Sequence, residues 1–173
     1  MKPSEYSALE TLRDGRRLEI RALKPEDRAG LAAAAGRSSS ESLTRRFFGP
    51  KRTFSEKELA FYSEVDFERH VALAALVEEA GRPLLVGAAR YIVAHPGRAE
   101  VAFAVEDAHQ RRGIGPALLR HLAKIARGAG LEELIAEVLP DNAPMLKVFE
   151  RCGLPLTKKR SQGVVHAVLR LAP

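Results

Sequence analysis

The chain has 173 residues, the length of one domain with a single core, and its 46% hydrophobic and 29% charged residues fit an ordinary globular protein. No apolar run is long enough to span a bilayer, so no membrane partner is expected. A net charge of +6 suits nucleic acid or a polyanionic small ligand, but Lys and Arg come as scattered pairs such as Arg16-Arg17 and Arg111-Arg112, with no basic tract or aromatic-interleaved stripe, which argues against nucleic acid.

Residues 1–16 read as a loose N-terminal tail and residues 17–173 as the single folded domain. The first ten residues lack the apolar stretch of a secretory signal. With one cysteine, Cys152, no intrachain disulfide can form, and a cytoplasmic protein is the expectation. Residues 18–23 alternate apolar and polar, the pattern of a half-buried strand. Pro25 suits a helix's first turn, with Glu26 and Asp27 at its positive end, and the alanines carry that helix to Gly36. Residues 38–42 offer caps for a second helix bearing Leu43, Phe47 and Phe48, broken by Gly49-Pro50. Ser55 with Glu58 three residues on predicts a capping box and a helix through Leu59, Phe61 and Tyr62.

Strands are then predicted over 71–77, 84–93 and 98–105, turned at Gly81-Arg82-Pro83 and His95-Pro96-Gly97 into an antiparallel meander. The third places Glu100 opposite Val101, Phe103 and Val105. The pattern then changes. A loop over 106–113 leads into a helix from about Gly115 to Arg127, with Leu118, Leu119, Leu122 and Ile125 on one face. A strand over 134–139, a helix over 142–152 and a last strand over 164–171 complete an α/β (α+β) chain.

The segment Gln110-Arg111-Arg112-Gly113-Ile114-Gly115 lies between a strand and a helix. A helix start offers N–H groups with no internal partner and a positive dipole end, glycine admits a sharp turn, and two arginines add charge. Together these suit a phosphate. Two other phosphate loops are excluded. Gly115 is followed by Pro116 and Ala117 where a nucleotide P-loop needs Lys and Ser/Thr, and Leu118 stands where the dinucleotide fingerprint needs Gly or Ala. The alternative is a glycine turn entering a helix with no ligand. No metal-ligand spacing is present, so no metal is expected.

The hexapeptide from Gln110 to Gly115 resembles the Gln/Arg-x-x-Gly-x-Gly/Ala signature of the GNAT acetyltransferase superfamily. The preceding Ala99-Glu100-Val101-Ala102-Phe103-Ala104-Val105, the later Pro140-Asp141-Asn142-Ala143-Pro144-Met145 and Phe149-Glu150-Arg151-Cys152-Gly153 match its flanks. The block Glu41-Ser42-Leu43-Thr44-Arg45-Arg46-Phe47-Phe48 and residues 66–72 are similar to the acetyltransferase domain of Pat-type bacterial protein lysine acetyltransferases. The resemblance implies a mixed, mostly antiparallel central sheet with helices on both faces. It implies acetyl-CoA as co-substrate, its pantetheine arm along the backbone of Phe103, Ala104 and Val105. The pyrophosphate would rest on Gln110, Arg111, Arg112, Gly113, Ile114, Gly115, Pro116 and Ala117, with Asn142 on the pantetheine or merely capping its helix. The acceptor is a primary amine, first a protein lysine, alternatively a small amine or antibiotic; a non-catalytic acyl-CoA sensor is the reading from another class. The protein would be a monomer or homodimer.

Glu100 is the implied general base, against the plainer reading of a solvated glutamate paired with Arg98; Glu106 is the second candidate, expected to face solvent. A backbone N–H near Val105 would polarise the thioester carbonyl. Many family members carry a tyrosine as general acid where this chain has Phe149, which leaves no protein acid there. His70 and Cys152 are expected to be structural.

Overall fold

Residues 70–77 are buried on both faces, which suits only a strand covered on both sides. The computed structural model describes residues 2–37 and 55–171, and the readings made on residues 38–42, on Leu43, Phe47 and Phe48, on Gly49-Pro50 and on the block 41–48 lie outside the described residues. The strands are β1 (Ser7–Thr11), β2 (Arg17–Ala22), β3 (His70–Glu79), β4 (Arg82–His95), β5 (Arg98–Val105), β6 (Glu133–Val138), β7 (Leu156–Ser161) and β8 (Val164–Arg170). They form one sheet in the order β1-β2-β3-β4-β5-β6-β8-β7. Among the described residues the helices are α1 (Arg28–Gly36), α2 (Glu56–Ser63), α3 (Ile114–Gly128) and α4 (Ala143–Arg151). Every strand pairing is antiparallel except β5 with β6. Parallel neighbours cannot be joined by a tight turn, and α3 fills the crossover.

The sheet has a covered face on each side. Leu118, Leu119, Leu122 and Ile125, the stripe legible in the sequence, pack with Val71, Leu73, Val86, Tyr91 and Phe103 in the larger core cluster. On the other face Leu23, Ala72, Ala74, Leu76 and Leu85 meet Leu31 and Ala34 of α1. The capping box on α2 forms as its spacing predicts: Glu58 N–H donates to Ser55 Oγ and Ser55 N–H to Glu58 Oε1, each at 3.1 Å.

The first sixteen residues are not a loose tail. β1 pairs with β2 from Ser7–Arg21 to Thr11–Arg17, and Tyr6 and Leu12 are buried beside it. The Tyr6 hydroxyl hydrogen-bonds His121 Nδ1 on α3, and Glu10 takes both His121 Nε2 and Arg120. β7 is likewise a strand where none was predicted. Both lie at the sheet's edges; β1 turns Ala8 and Glu10 inward and the apolar Leu9 outward, and β7 is exposed along nearly its whole length, so neither shows the apolar alternation that marks a half-buried strand.

Tyr6→Ala is expected to lower unfolding free energy by roughly 3 kcal/mol, as for other large buried rings. The check is the urea midpoint at unchanged m-value; an unmoved midpoint would restore the tail reading.

Candidate active site

β5 and β6 pair over three rows only: Arg98–Glu133, Ala99–Leu134 and Glu100–Ile135. β5 continues to Val105 and β6 to Val138, so the strands leave a wedge that opens beyond Glu100. Successive residues of a strand direct their peptide groups to opposite edges. Glu106 N–H reaches Val86 O on β4 at 2.7 Å, which sets the even-numbered residues of β5 toward β4 and the odd-numbered ones toward the wedge. The backbones of Val101, Phe103 and Val105 therefore line the wedge, whereas Ala104 spends its peptide groups on the ladder with Ala88. Ala104 can offer the wedge only its exposed methyl.

Glu100 occupies the last paired row, where the wedge begins. Its side chain is exposed, on the face opposite Val101 and Phe103. The Arg98 guanidinium is spoken for by Glu133, at 2.8 Å, so the expected Arg98–Glu100 pair does not form. Among the described residues the Glu100 carboxylate has no hydrogen bond or ion pair. Along the same face of the strand follow Ala102, half-buried, and Ala104, exposed, a floor without bulky side chains. Val105 is five residues from Glu100, roughly 16 Å along a strand. One thioester carbonyl cannot lie beside both; beyond the last paired row the wedge-facing N–H nearest Glu100 is that of Phe103.

The loop between β5 and α3 is built by two left-handed residues, Arg111 at φ 65° and Gly113 at φ 91°, on either side of Arg112. An arginine there costs about 1–2 kcal/mol of backbone strain, held by its surroundings. Among the described residues the N–H groups of Arg111, Arg112, Gly113, Ile114 and Gly115 meet no acceptor, and no side chain caps α3. Ala117 N–H is not among the free donors, because it closes the first helical bond on Gly113 O at 3.1 Å. Pro116 falls in the first turn, where its missing N–H would have had no partner. Packing also favours a small residue at Gly115: a Cβ there would stand 3.2 Å from Val148 Cγ2 on α4. The Gln110 side chain turns back, its Nε2 donating to Val105 O at 3.0 Å, and so ties the loop to the strand end. Arg111 is exposed, and Arg112 lies 3.6 Å from Asp14 in the β1–β2 turn.

Glu106 does not face solvent. Its side chain is 5% exposed and ion-pairs through Oε1 with Arg37 Nε at 3.0 Å, while Arg37 Nη2 donates to Leu85 O at 3.1 Å. Glu106 Oε2 and the buried His109 Nδ1 stand 3.9 Å apart with no hydrogen-bond partner among the described residues. A carboxylate so enclosed and claimed by a guanidinium holds the root of the loop to α1 and β4; it is in no position to collect protons from an acceptor.

Asn142 is the N-cap of α4, its Oδ1 accepting from Met145 N–H at 3.3 Å, which is the capping alternative foreseen for it. Phe149 is 1% exposed, with its ring edge-on to Phe103 at 5.7 Å, so the place where relatives carry a tyrosine points into the core. Cys152 is buried, with Sγ on Phe149 O. The sequence reading missed Arg37 and Arg90; a single arginine inside the apolar run 84–93 was the available signal for the second. Arg90 donates to Tyr62 O and meets His70 Nε2, each at 3.0 Å, and lies over the Tyr62 ring. Burial first, then the Arg90 charge, pushes the His70 imidazole down to about 4. Among the described residues no group of three or more His, Cys, Asp or Glu is placed to hold a metal ion, and no helix is long and apolar enough to cross a membrane.

The model of the acetyltransferase (GNAT) family matches residues 40–154. An acetyltransferase of Pseudomonas aeruginosa is 33% identical over 163 residues, 91% of this chain and 87% of the relative. The acetyltransferase Pat of Mycolicibacterium smegmatis is 34% identical over 136 residues, 78% of this chain but only 40% of that longer protein. Among solved structures, the GNAT domain of S. lividans PAT superposes with a TM-score of 0.86 and 36% identity, covering 95% of this chain and 96% of that one.

Because His70 is held neutral when folded and takes a proton near pH ~6.5 when unfolded, its stabilising contribution is whole above that pH and is lost as pH falls toward 4. Melting temperatures at pH 7, 5.5 and 4 should therefore fall more steeply for the wild type than for His70→Gln; parallel curves would contradict it. Gln110→Ala, which unties the loop from Val105, is expected to weaken CoA binding about tenfold by calorimetry, in proportion to one lost positioning hydrogen bond.

Proposed function

The chain belongs to the GNAT family of acetyltransferases, and we propose that it moves the acetyl group of acetyl-CoA to a protein lysine, with Glu100 as general base. The observation that carries the reading is the end of the β5–β6 ladder at Glu100, where an exposed carboxylate without a partner among the described residues stands at the vertex of a wedge edged by the unpaired backbone of Phe103.

In this reading the pantetheine arm enters the wedge as an added strand on the odd-numbered edge of β5. The pyrophosphate rests on the amides of Gly113, Ile114 and Gly115, with Arg111 and Arg112 beside it, because these donors have no internal acceptor and lie at the positive end of α3. The acceptor amine approaches over Ala102 and Ala104. A free lysine with a pKa near ~10.4 arrives as ammonium, and Glu100 takes its proton directly or through one water. The neutral amine attacks the thioester carbonyl, whose oxygen draws on the Phe103 N–H as negative charge develops. Collapse of the tetrahedral intermediate breaks the C–S bond; the attacking nitrogen gives up its second proton to water as the amide forms, and the departing CoA thiolate takes a proton from water, since Phe149 has none to give.

A protein lysine is preferred over a small amine on the likeness to the GNAT domain of a PAT protein. With Glu100→Gln, kcat is expected to fall about 10²–10⁴-fold while the Kd for CoA stays within twofold. Radiolabelled acetyl-CoA should mark lysines of protein acceptors; label on small amines alone would replace the acceptor assignment, and full activity of the variant would remove Glu100 from its role. Phe149→Tyr should not raise kcat, since the hydroxyl would enter the core and not the wedge; a gain would mean the ring turns outward.

A further inference from the structure

One side chain of the phosphate loop is already engaged by an anion of the protein itself. Arg112 Nη1 lies 3.6 Å from Asp14 Oδ2. Asp14 is on the β1–β2 turn, and the turn is built to hold it still. Its Oδ1 accepts from Arg16 N–H at 3.0 Å, Leu12 N–H bonds Arg16 O at 2.8 Å, and Gly15 N–H bonds Leu12 O at 2.9 Å. The strands on either side are fastened to α3 by Tyr6 on His121 and by Glu10 on His121 and Arg120. One carboxylate oxygen is thus fixed by the turn, and the turn is fixed to the helix that directly follows the loop. The other oxygen is left directed at the arginine.

We propose that Asp14 is an internal stand-in for phosphate: it holds Arg112 in the absence of cofactor and competes with the cofactor's phosphates for that guanidinium, setting the affinity for the CoA nucleotide end. The inference rests on the reading that this loop binds the CoA pyrophosphate. Asp14 and Arg112 are 40% and 41% exposed, so the exchange takes place in water and the pair is easily traded for a group of higher charge. Asp14 acts through Arg112 and touches no reacting atom, so it is a positioning residue.

Titration calorimetry with CoA at fixed ionic strength, on wild type, Asp14→Asn, Arg112→Gln and the double variant, tests it. Asparagine keeps an oxygen for Arg16 N–H, and Asp14→Ser is a second way to remove the charge without losing that bond. Both are expected to tighten CoA binding about two- to fivefold, the size of an exposed ion pair. The gain should vanish in the Arg112→Gln background. Unchanged or weaker binding in both Asp14 variants overturns the inference, as does a gain that persists without Arg112. Absence of any CoA binding by the wild type is a separate result, which removes the cofactor reading before the variants are compared.

Discussion

The parting of β5 from β6 after the Glu100–Ile135 row is the constraint on which the rest depends. A parallel pair would ordinarily zip to the strand ends, satisfying each N–H and C=O. Here the ladder stops at its third row, and the odd-numbered peptide groups beyond it are left on the inner edge of a wedge. In a folded interior such groups demand partners. The sheet thereby leaves an open strand edge without adding a loop or a pocket, and it places the glutamate at the vertex. What supports the parting is the ring pair beneath it: Phe103 packs edge-on to Phe149, so β5, α3 and α4 are wedged together under the opening.

The phosphate loop shows how one short motif draws on two separate physical causes. Gly113 is required by its backbone, which is left-handed at φ 91°. Gly115 is favoured by packing, since a Cβ there would press on Val148 of the neighbouring helix at 3.2 Å. Across both glycines the N–H groups of Arg111, Arg112, Gly113, Ile114 and Gly115 have no acceptor among the described residues. Arg111 adopts a strained left-handed conformation in the same loop, which points to a backbone shaped by its surroundings and not by its own preference.

On the opposite face, buried charge sets the architecture. Arg37 reaches both Glu106 and Leu85 O, and Arg90 joins Tyr62 and His70. The buried Arg90 guanidinium is tolerated because acceptors surround it, whereas in the other pair the Glu106 carboxylate is the enclosed partner, and removing the exposed Arg37 would strand it in a poorly solvated site. These contacts bind α1 and α2 to the strands that carry the wedge. The two carboxylates that the sequence offers as bases thus have opposite environments: Glu106 is enclosed and paired, Glu100 open and unpaired. Burial and pairing separate their roles.

The local chemistry of the chain was legible in the sequence. Residues 98–105 alternate, the Leu118-to-Ile125 stripe marks a helix, Ser55 and Glu58 form their cap, and the hexapeptide from Gln110 to Gly115 announces a turn with free amides; each of these depends on neighbours within one or two turns of chain. The tertiary structure alone decided what depends on distant partners. Where the β5–β6 ladder stops, that Glu133 and not Glu100 takes Arg98, that Arg37 closes over Glu106, and that Ala117 is spent inside its helix are outcomes of groups far apart in sequence, or of bond geometry that spacing does not reveal. The two edge strands escaped for the same reason: β1 has Glu10 on its half-buried face and Leu9 on its exposed one, and β7 is nearly all exposed, so pairing with β2 and β8 makes them strands while their own residues carry no periodic apolar signal.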